Sequence, residues 1–464
     1  MLKRVSIFLV LVILWSFTVQ PALAQASGPV YIVQSGDTLS FIASRFNVTI
    51  NDLVTANPTL DPNLLSEGQQ IIIPGLQGVT GVLETEIIPF GDSLRSLSRR
   101  TRVEDEQLKK LNRLVSPTEL YVGISLIVPT QENQAPLTTR ITASAGESLL
   151  ELAVRQGSDP WTLASVNKLD GTWTALPGDI LYSPLGSSQG NVTGLPSAFV
   201  SASIEPLPLK QGSTEVIRAQ LQDGVALSGM LVDEPLQFFQ TNGEQVALQG
   251  VHALKEPGVY PLLMEATLPD GSKQSFEQMV LVTSGDYLSE PIPLNDPSLI
   301  DPAVTEPELA TLTAITAPST PTRYWTDIFT SPATDPNCFT SRYGTRRIYT
   351  VINSDLEVNG FHTGLDFCGG EGLQIFAPAP GKVVFAAPLT VRGNATIIDH
   401  GWGVYSGFWH QSQISVNVGD MVETGQVIGL VGDTGRVTGA HLHWEVWVNG
   451  VQVNPLDWLN QAYP

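Results

Sequence analysis

Glycines 36, 91 and 146, in "SGDTL", "FGDSL" and "AGESL", stand 55 residues apart both times. In each copy an asparagine follows by 21 residues (Asn57, Asn112, Asn167), a second glycine by 32 (Gly68, Gly123, Gly178) and a proline by 38 (Pro74, Pro129, Pro184). Four landmarks in register over three copies define a tandem of one small supersecondary unit. Within the first copy "YIVQ" reads as a short strand, and Gly36 with Asp37 makes a turn. "LSFIASRF" and "INDLVTAN" have helical spacing, and "QIIIP" is a closing strand ended by a proline that cannot donate to a ladder. The unit is therefore strand–helix–helix–strand. At 464 residues the chain is too long for one core, and three or more domains are expected.

Lys3 and Arg4, the apolar run Val5 to Val19 and the small-residue site Ala22-Leu23-Ala24 predict a secretory signal peptide over residues 1–24. The run is shorter than the ~20 residues of a spanning helix. No later stretch is long and apolar enough to span, so the mature chain is expected to lack a transmembrane segment. It is expected to be secreted or held in the cell envelope. A formal net charge of −21 argues against nucleic acid as a partner. Cys338 and Cys368 are the only thiols, and export predicts that they pair as a disulfide.

From about Ser197 to Val282 the helical period gives way to short alternating runs such as "TEVIRAQLQ" and "FEQMVLVTS", separated by "TNGEQ" and "PDGSK". That rhythm predicts an immunoglobulin-like β-sandwich, without a chemical constellation, acting as a spacer or interaction surface. His252 is expected to face solvent. Seven prolines between Pro291 and Pro321 predict a semi-rigid linker, with one short helix at "EPELATLTAI".

Five of the six histidines fall in the last 103 residues: His362, His400, His410, His441 and His443. In "GAHLHWEVWVNG" a strand puts His441 and His443 on one face, followed there by Glu445 and Trp447. Leu442, Trp444, Val446 and Val448 make the opposite, core-like face. His-x-His on such a strand suggests a metal. A catalytic zinc takes three protein ligands and leaves a position for water. His362, Asp366, His410, His441 and His443 are five candidates for three places, and the surplus suits a hydrolytic site that must also move protons. A two-metal site would want more carboxylates, and His-Glu-x-x-His is absent. His400, in "IIDHG", reads as structural. Glu445 either orients a ligand or makes an ordinary strand salt bridge. Trp402, Trp409 and Trp447 line a groove or pack, and Trp444 packs.

The first repeat resembles the LysM domain, while the second and third copies keep the frame and lose detail. The resemblance implies binding of glycans that contain N-acetylglucosamine, through Gly36, Asp37, Thr38, Asn57 and Pro58. "FHTGLDF", "IFAPAPGKVVFA", "GNATIIDHGWGVYSGFWHQS", "VGDMVETGQVIGLVGDTGRVTGAHLHWEV" and "VNPLDWL" together resemble the lysostaphin-type zinc endopeptidases over about residues 325–464. That resemblance implies one zinc ion held by His362, Asp366 and His443, with His441 and His410 as general base and transition-state partners. The Cys338–Cys368 pair departs from the family pattern, and would tie the Asp366 segment to "FTSRYGTRR", a groove wall.

The expected chain is multidomain. A signal peptide (1–24) precedes three small α+β LysM-like repeats (29–75, 83–130 and 138–185). An immunoglobulin-like sandwich (195–286) and a proline-rich linker (287–322) lead to a mainly antiparallel β zinc peptidase domain (323–464). The expected function is cleavage of peptide cross-links or stems in bacterial peptidoglycan, anchored on its glycan. Two alternatives stand beside it: a catalytically silent activator of another wall hydrolase, and an exported peptidase that acts on proteins.

Overall fold

The computed structural model describes residues 28–76, 78–130, 137, 139–143, 147–171, 179–183, 195–294, 300–351, 357–437 and 439–464. The signal peptide expected over residues 1–24, and Gly146, Gly178 and Pro184 of the third repeat, lie outside them. The chain divides into two compact units, one of residues up to Thr85 with Ile127–Ala135, the other of Glu86–Leu126 and Pro136–Pro464.

In the first unit, strands Val30–Ile32 and Gln70–Ile72 pair antiparallel around helices Leu39–Phe46 and Ile50–Ala56. The repeated residues have local structural work there. Gly36 turns the chain at φ 85°, a conformation a Cβ disfavours. Asp37 accepts hydrogen bonds from Gln34 N and the Tyr31 hydroxyl, both at 2.8 Å, and Thr38 caps the first helix. Asn57 donates to Leu53 O and Ile72 O and accepts from Ile72 N, each at 2.8 Å, which locks helix to closing strand. Asn167 repeats that clamp between Leu163 and Tyr182. The 21-residue interval between glycine and asparagine is thus set by the fold.

All three copies have the expected strand–helix–helix–strand order. In the second unit the turn of the second copy is occupied by its own chain. Asp92 is buried against Arg140 at 2.6 Å, and Gly91 N donates to Gln278 Oε1 at 2.7 Å.

Residues 199–283 form a four-stranded and a five-stranded sheet. Phe199, Ile217 and Ala247 from one sheet meet Leu262, Met264 and Val280 from the other in a shared core. Of the two expected roles, spacer and interaction surface, the packing fits the second. Val216, Val246 and Leu248, on the outer face of the four-stranded sheet, belong to the core of the C-terminal region with Trp458 and Val453. Phe239 stacks on Trp402 at 5.0 Å. His252 is exposed as expected, with its ring edge-on to Phe361.

The proline-rich stretch also departs from its expected linker role. Strand Ser289–Leu294 runs parallel to Arg346–Val351, and a helix spans Pro302–Thr316, reaching further toward the N-terminus than the predicted "EPELATLTAI". Leu312 of that helix is fully buried among Ala395, Ile397, Tyr405, Trp409 and Trp447. The carbonyls of Pro318 and Pro321 accept from the Tyr405 hydroxyl and the Trp402 indole. The prolines here supply acceptors for donors of the large C-terminal sheet.

That sheet is antiparallel, with strand order Phe339–Ser341, Leu365–Phe367, Leu442–Val448, Val404–Gln411, Gly393–Gly401, Gly381–Leu389 and Met421–Val422. Leu442, Trp444, Val446 and Val448 pack into the main core, as their alternation predicts. The face that carries His443 and Glu445 is buried as well, beside Trp447 and Trp409. The disulfide Cys338–Cys368 is present.

Candidate metal centre

Strand register brings the first two groups together. Asp366 lies directly across from His443 in the pairing of Leu365–Phe367 with Leu442–Val448. His362 sits just before the first of these strands, separated from it by Thr363 and Gly364. A Cβ on Gly364 would lie 2.7 Å from His443 Nε2 and 2.3 Å from Trp444 O, so the close approach requires glycine. Asp366 Oδ1 lies 2.7 Å from His443 Nδ1 and 3.0 Å from His362 Nε2, and the two ring nitrogens are 3.1 Å apart. His362, Asp366 and His443 are the one group suited to a metal ion among the described residues.

The outer nitrogens of both imidazoles are tied back. His362 Nδ1 donates to Arg342 O at 2.9 Å, and His443 Nε2 donates to Glu445 Oε1 at 3.2 Å. Those bonds fix the tautomers so that His362 Nε2 and His443 Nδ1 turn lone pairs toward Asp366. Zinc bonds of about 2.0–2.1 Å in a tetrahedron place donors about 3.3 Å apart. Three donors 2.7–3.1 Å apart, two imidazoles and one carboxylate, fit that requirement with a slight opening. Burial would raise the Asp366 pKa, but the imidazoles around it, His443 first with His362 and His441, hold it well below the usual carboxylate range. The carboxylate is ionised, as a ligand must be.

Glu445 anchors the arrangement. It is buried and accepts from the Thr363 hydroxyl (2.6 Å), Trp447 Nε1 (2.8 Å) and Gln452 Nε2 (2.9 Å). Burial opposes its charge, yet Arg392 and His443 keep its pKa below the ordinary value. Of the two sequence readings of Glu445, the orienting one matches this geometry. We expect Glu445→Gln to weaken metal binding roughly 10- to 100-fold, the usual cost of losing such a support. Competition titration against a chromogenic chelator measures it, and an unchanged affinity would make Glu445 a packing residue only.

His410 and His441 face each other with ring centroids 5.2 Å apart. Each donates its Nδ1 proton to a carbonyl, His410 to Thr434 (2.7 Å) and His441 to Gly439 (2.8 Å), leaving Nε2 with a lone pair. His441 Nε2 is 3.5 Å from Asp366 Oδ1. Burial, with His443 close by, pushes the His410 pKa down to about 3. His410 is held by a β-bulge: Trp409 and His410 form an extra step between the pairs Thr396↔Phe408 and Asn394↔Gln411, and His410 has φ 64°. Alternation along this strand gave no sign of it.

His400 lies elsewhere, fully buried between Pro380 O and the Ser406 hydroxyl, and burial lowers its pKa to about 4. Its structural reading matches that placement. Trp444 packs in the core, Trp402 stacks on Phe239, and Trp409 lines the cavity beside the triad. Arg347, from the predicted groove wall, lines it too. Sequence reasoning passed over Arg392, Arg436 and Thr363, since no spacing marks them.

A buried two-histidine, one-carboxylate triad with two more imidazoles beside it defines the metal-dependent hydrolase type of site. Residues 360–455 match Peptidase family M23, and residues 31–74 and 88–129 match the LysM domain. The chain is 43% identical over 117 residues to DD-carboxypeptidase/endopeptidase Mpg of Neisseria meningitidis serogroup B, covering 24% of this chain and 27% of that protein. It is 37% identical over 116 residues to Peptidoglycan DD-endopeptidase ShyA of Vibrio cholerae serotype O1, covering 25% and 26%. The catalytic domain of lysostaphin from Staphylococcus simulans aligns at 33% identity over 22% of this chain and 81% of its own, with a TM-score of 0.21. The chain thus spans about a quarter of the length of these two curated relatives. It carries an M23 metallopeptidase domain at its C-terminal end and LysM domains at its N-terminal end.

Proposed function

We propose that this chain is an exported, zinc-dependent endopeptidase that cuts peptide cross-links or stems of peptidoglycan. The convergence of His362, Asp366 and His443, with the Nε2 atoms of His410 and His441 beside them, carries the reading. Those three residues would hold one zinc ion. Bound there, zinc supplies a Lewis acid that polarises a carbonyl and lowers the pKa of water toward 7. His441, partly exposed at the mouth of the cavity, takes the proton of the attacking water at Nε2 and returns it to the leaving amine. His410 stays neutral near pH 7 and holds the second side of the reacting centre.

The names of Mpg and ShyA support peptidoglycan as the substrate. Glycan binding is placed in the first LysM domain, around Gly36, Asp37, Thr38, Asn57 and Pro58, because in the matching turn of the second copy Asp92 is buried against Arg140 and Gly91 is bonded to Gln278. Several weak contacts to one polymer raise the local substrate concentration at the zinc site. Residues 1–24 direct export, and residues 195–286 form an immunoglobulin-like sandwich. Digestion of purified peptidoglycan should release new amino termini, and a chelator should abolish their release. Peptidoglycan that binds but yields no new termini would favour the silent-activator reading, and cleavage of unrelated proteins at equal rates would favour the general peptidase.

A further inference from the structure

Three glycines close around one side chain where the β-sandwich ends. Tyr287 follows the last sandwich strand, Lys273–Thr283, and its ring lies against Gly212, Gly285 and Gly344. A Cβ on any of the three would overlap that ring. Gly212 sits in a turn of the sandwich, and Gly344 in the turn that enters the cavity strand Arg346–Val351. The Tyr287 hydroxyl donates to Gln211 O at 2.6 Å, and Gln211 Oε1 accepts from Gly285 N at 2.9 Å. Tyr343 meets Tyr287 edge-on with ring centroids 6.0 Å apart, and its own hydroxyl donates to Gln452 O at 2.7 Å. Leu288, next to Tyr287, accepts from Arg346 N at 2.8 Å at the end of the same turn.

The turn at residues 342–345 is also what grips His362. Beyond the bond from His362 Nδ1 to Arg342 O, the His362 backbone N donates to Thr345 O, and its carbonyl accepts from Gly344 N, both at 2.8 Å. The Thr345 hydroxyl closes the turn on Arg342 O at 3.0 Å. His362 therefore hangs by its ring and by both of its backbone groups on four consecutive residues. Two of those four, Tyr343 and Gly344, pack on Tyr287. Close-packed contacts of this kind pass a displacement on instead of absorbing it. A path of direct contacts thus runs from Gln211 of the sandwich, through the Tyr287 ring, to a donor of the triad.

Resting on the metal-site reading above, we propose that Tyr287 is a positioning residue for the metal centre, a wedge that holds the turn 342–345 against the sandwich and so fixes the His362 ring in the donor triad. The sandwich is then a working part of the site. Metal affinity depends on a side chain that is none of the three donors.

Zinc affinity by chelator competition, and amide hydrogen exchange at Gly344 and His362, test this on the full chain as wild type, Tyr287→Phe, Tyr287→Ala and Leu262→Ala. Tyr287→Ala should weaken zinc binding roughly 10- to 100-fold, the usual cost of losing the support behind a ligand, and should speed exchange at both amides. Tyr287→Phe keeps the ring between the glycines and should bind zinc nearly as tightly as wild type. Leu262→Ala truncates a fully buried leucine of the sandwich core and lowers stability without touching the turn, so its zinc affinity should stay that of wild type. If Tyr287→Ala does not fold, Tyr287→Leu carries the same expectation with a smaller loss. Wild-type zinc affinity in the folded variant, or an equal loss in Leu262→Ala, overturns the proposal. A wild type that takes up no zinc would sink the metal-site reading instead. The exchange rates then decide whether Tyr287 holds His362, and unchanged protection in Tyr287→Ala overturns the wedge.

Discussion

His443→Ala will lose its metal, while His441→Ala will keep it and turn over roughly 10² to 10⁴ times more slowly. The first substitution leaves only His362 and Asp366 of a three-donor set. The second leaves all three donors and removes the Nε2 that handles the proton, whose worth is that of general acid–base catalysis. The two positions do not cost the same packing. His443 is buried between Asp366 and Glu445, whereas His441 sits one residue before the strand and is partly exposed. Some loss of stability is therefore expected for His443→Ala alone, and a thermal melt must accompany the metal assay. Metal per chain after dialysis decides the matter. Zinc lost from His441→Ala and retained by His443→Ala would exchange the two roles, and zinc retained by both would place the metal elsewhere.

The repeat and the histidine strand were legible because each is a local pattern. Period-2 alternation assigns the faces of Leu442–Val448, and the 21-residue interval reports a side-chain clamp by Asn57 that the fold reuses at Asn167. The pairing of Asp366 with His443 was legible only through resemblance, because register between strands 77 residues apart in sequence is a tertiary outcome. Nothing local announces the bulge that turns His410, or Arg392 and Arg436 converging from separate loops.

The prolines misled for a physical reason. Pro302 opens a helix where its missing N–H costs nothing, and Pro307 is tolerated inside it. The small residues of "LATLTAI" show too weak an apolar stripe to announce a buried face. The β-sandwich misled in another way: alternation finds the face that packs inside a domain, but not a second face covered by a neighbour, as at Val216 and Leu248.

Residues 320–464 alone, which contain the whole expected peptidase domain (323–464), should therefore fail to fold stably, while residues 195–464 should fold and bind zinc. The shorter piece lacks strand Ser289–Leu294, which pairs with the cavity strand Arg346–Val351. It lacks helix Pro302–Thr316, whose Leu312 seals the core under Trp409 and Trp447. It also loses Glu308, which holds Arg392 and two backbone amides at the cavity wall. Point variants in the full chain separate the two contributions. Leu312→Ala should cost about 2–5 kcal/mol as a buried large-to-small change. Glu308→Ala should cost about 3–5 kcal/mol, since it leaves the mostly buried Arg392 without its 3.1 Å partner. Chemical denaturation of both variants gives the values. A cooperative unfolding transition for residues 320–464, with a midpoint matching that of residues 195–464, would return the helix to the status of a linker. Leu312→Ala within error of wild type would do the same for its core contact. If instead Glu308→Ala lowers activity with little change in stability, the helix acts on the site by positioning Arg392, and the peptidase domain begins near residue 289 in function as well as in folding.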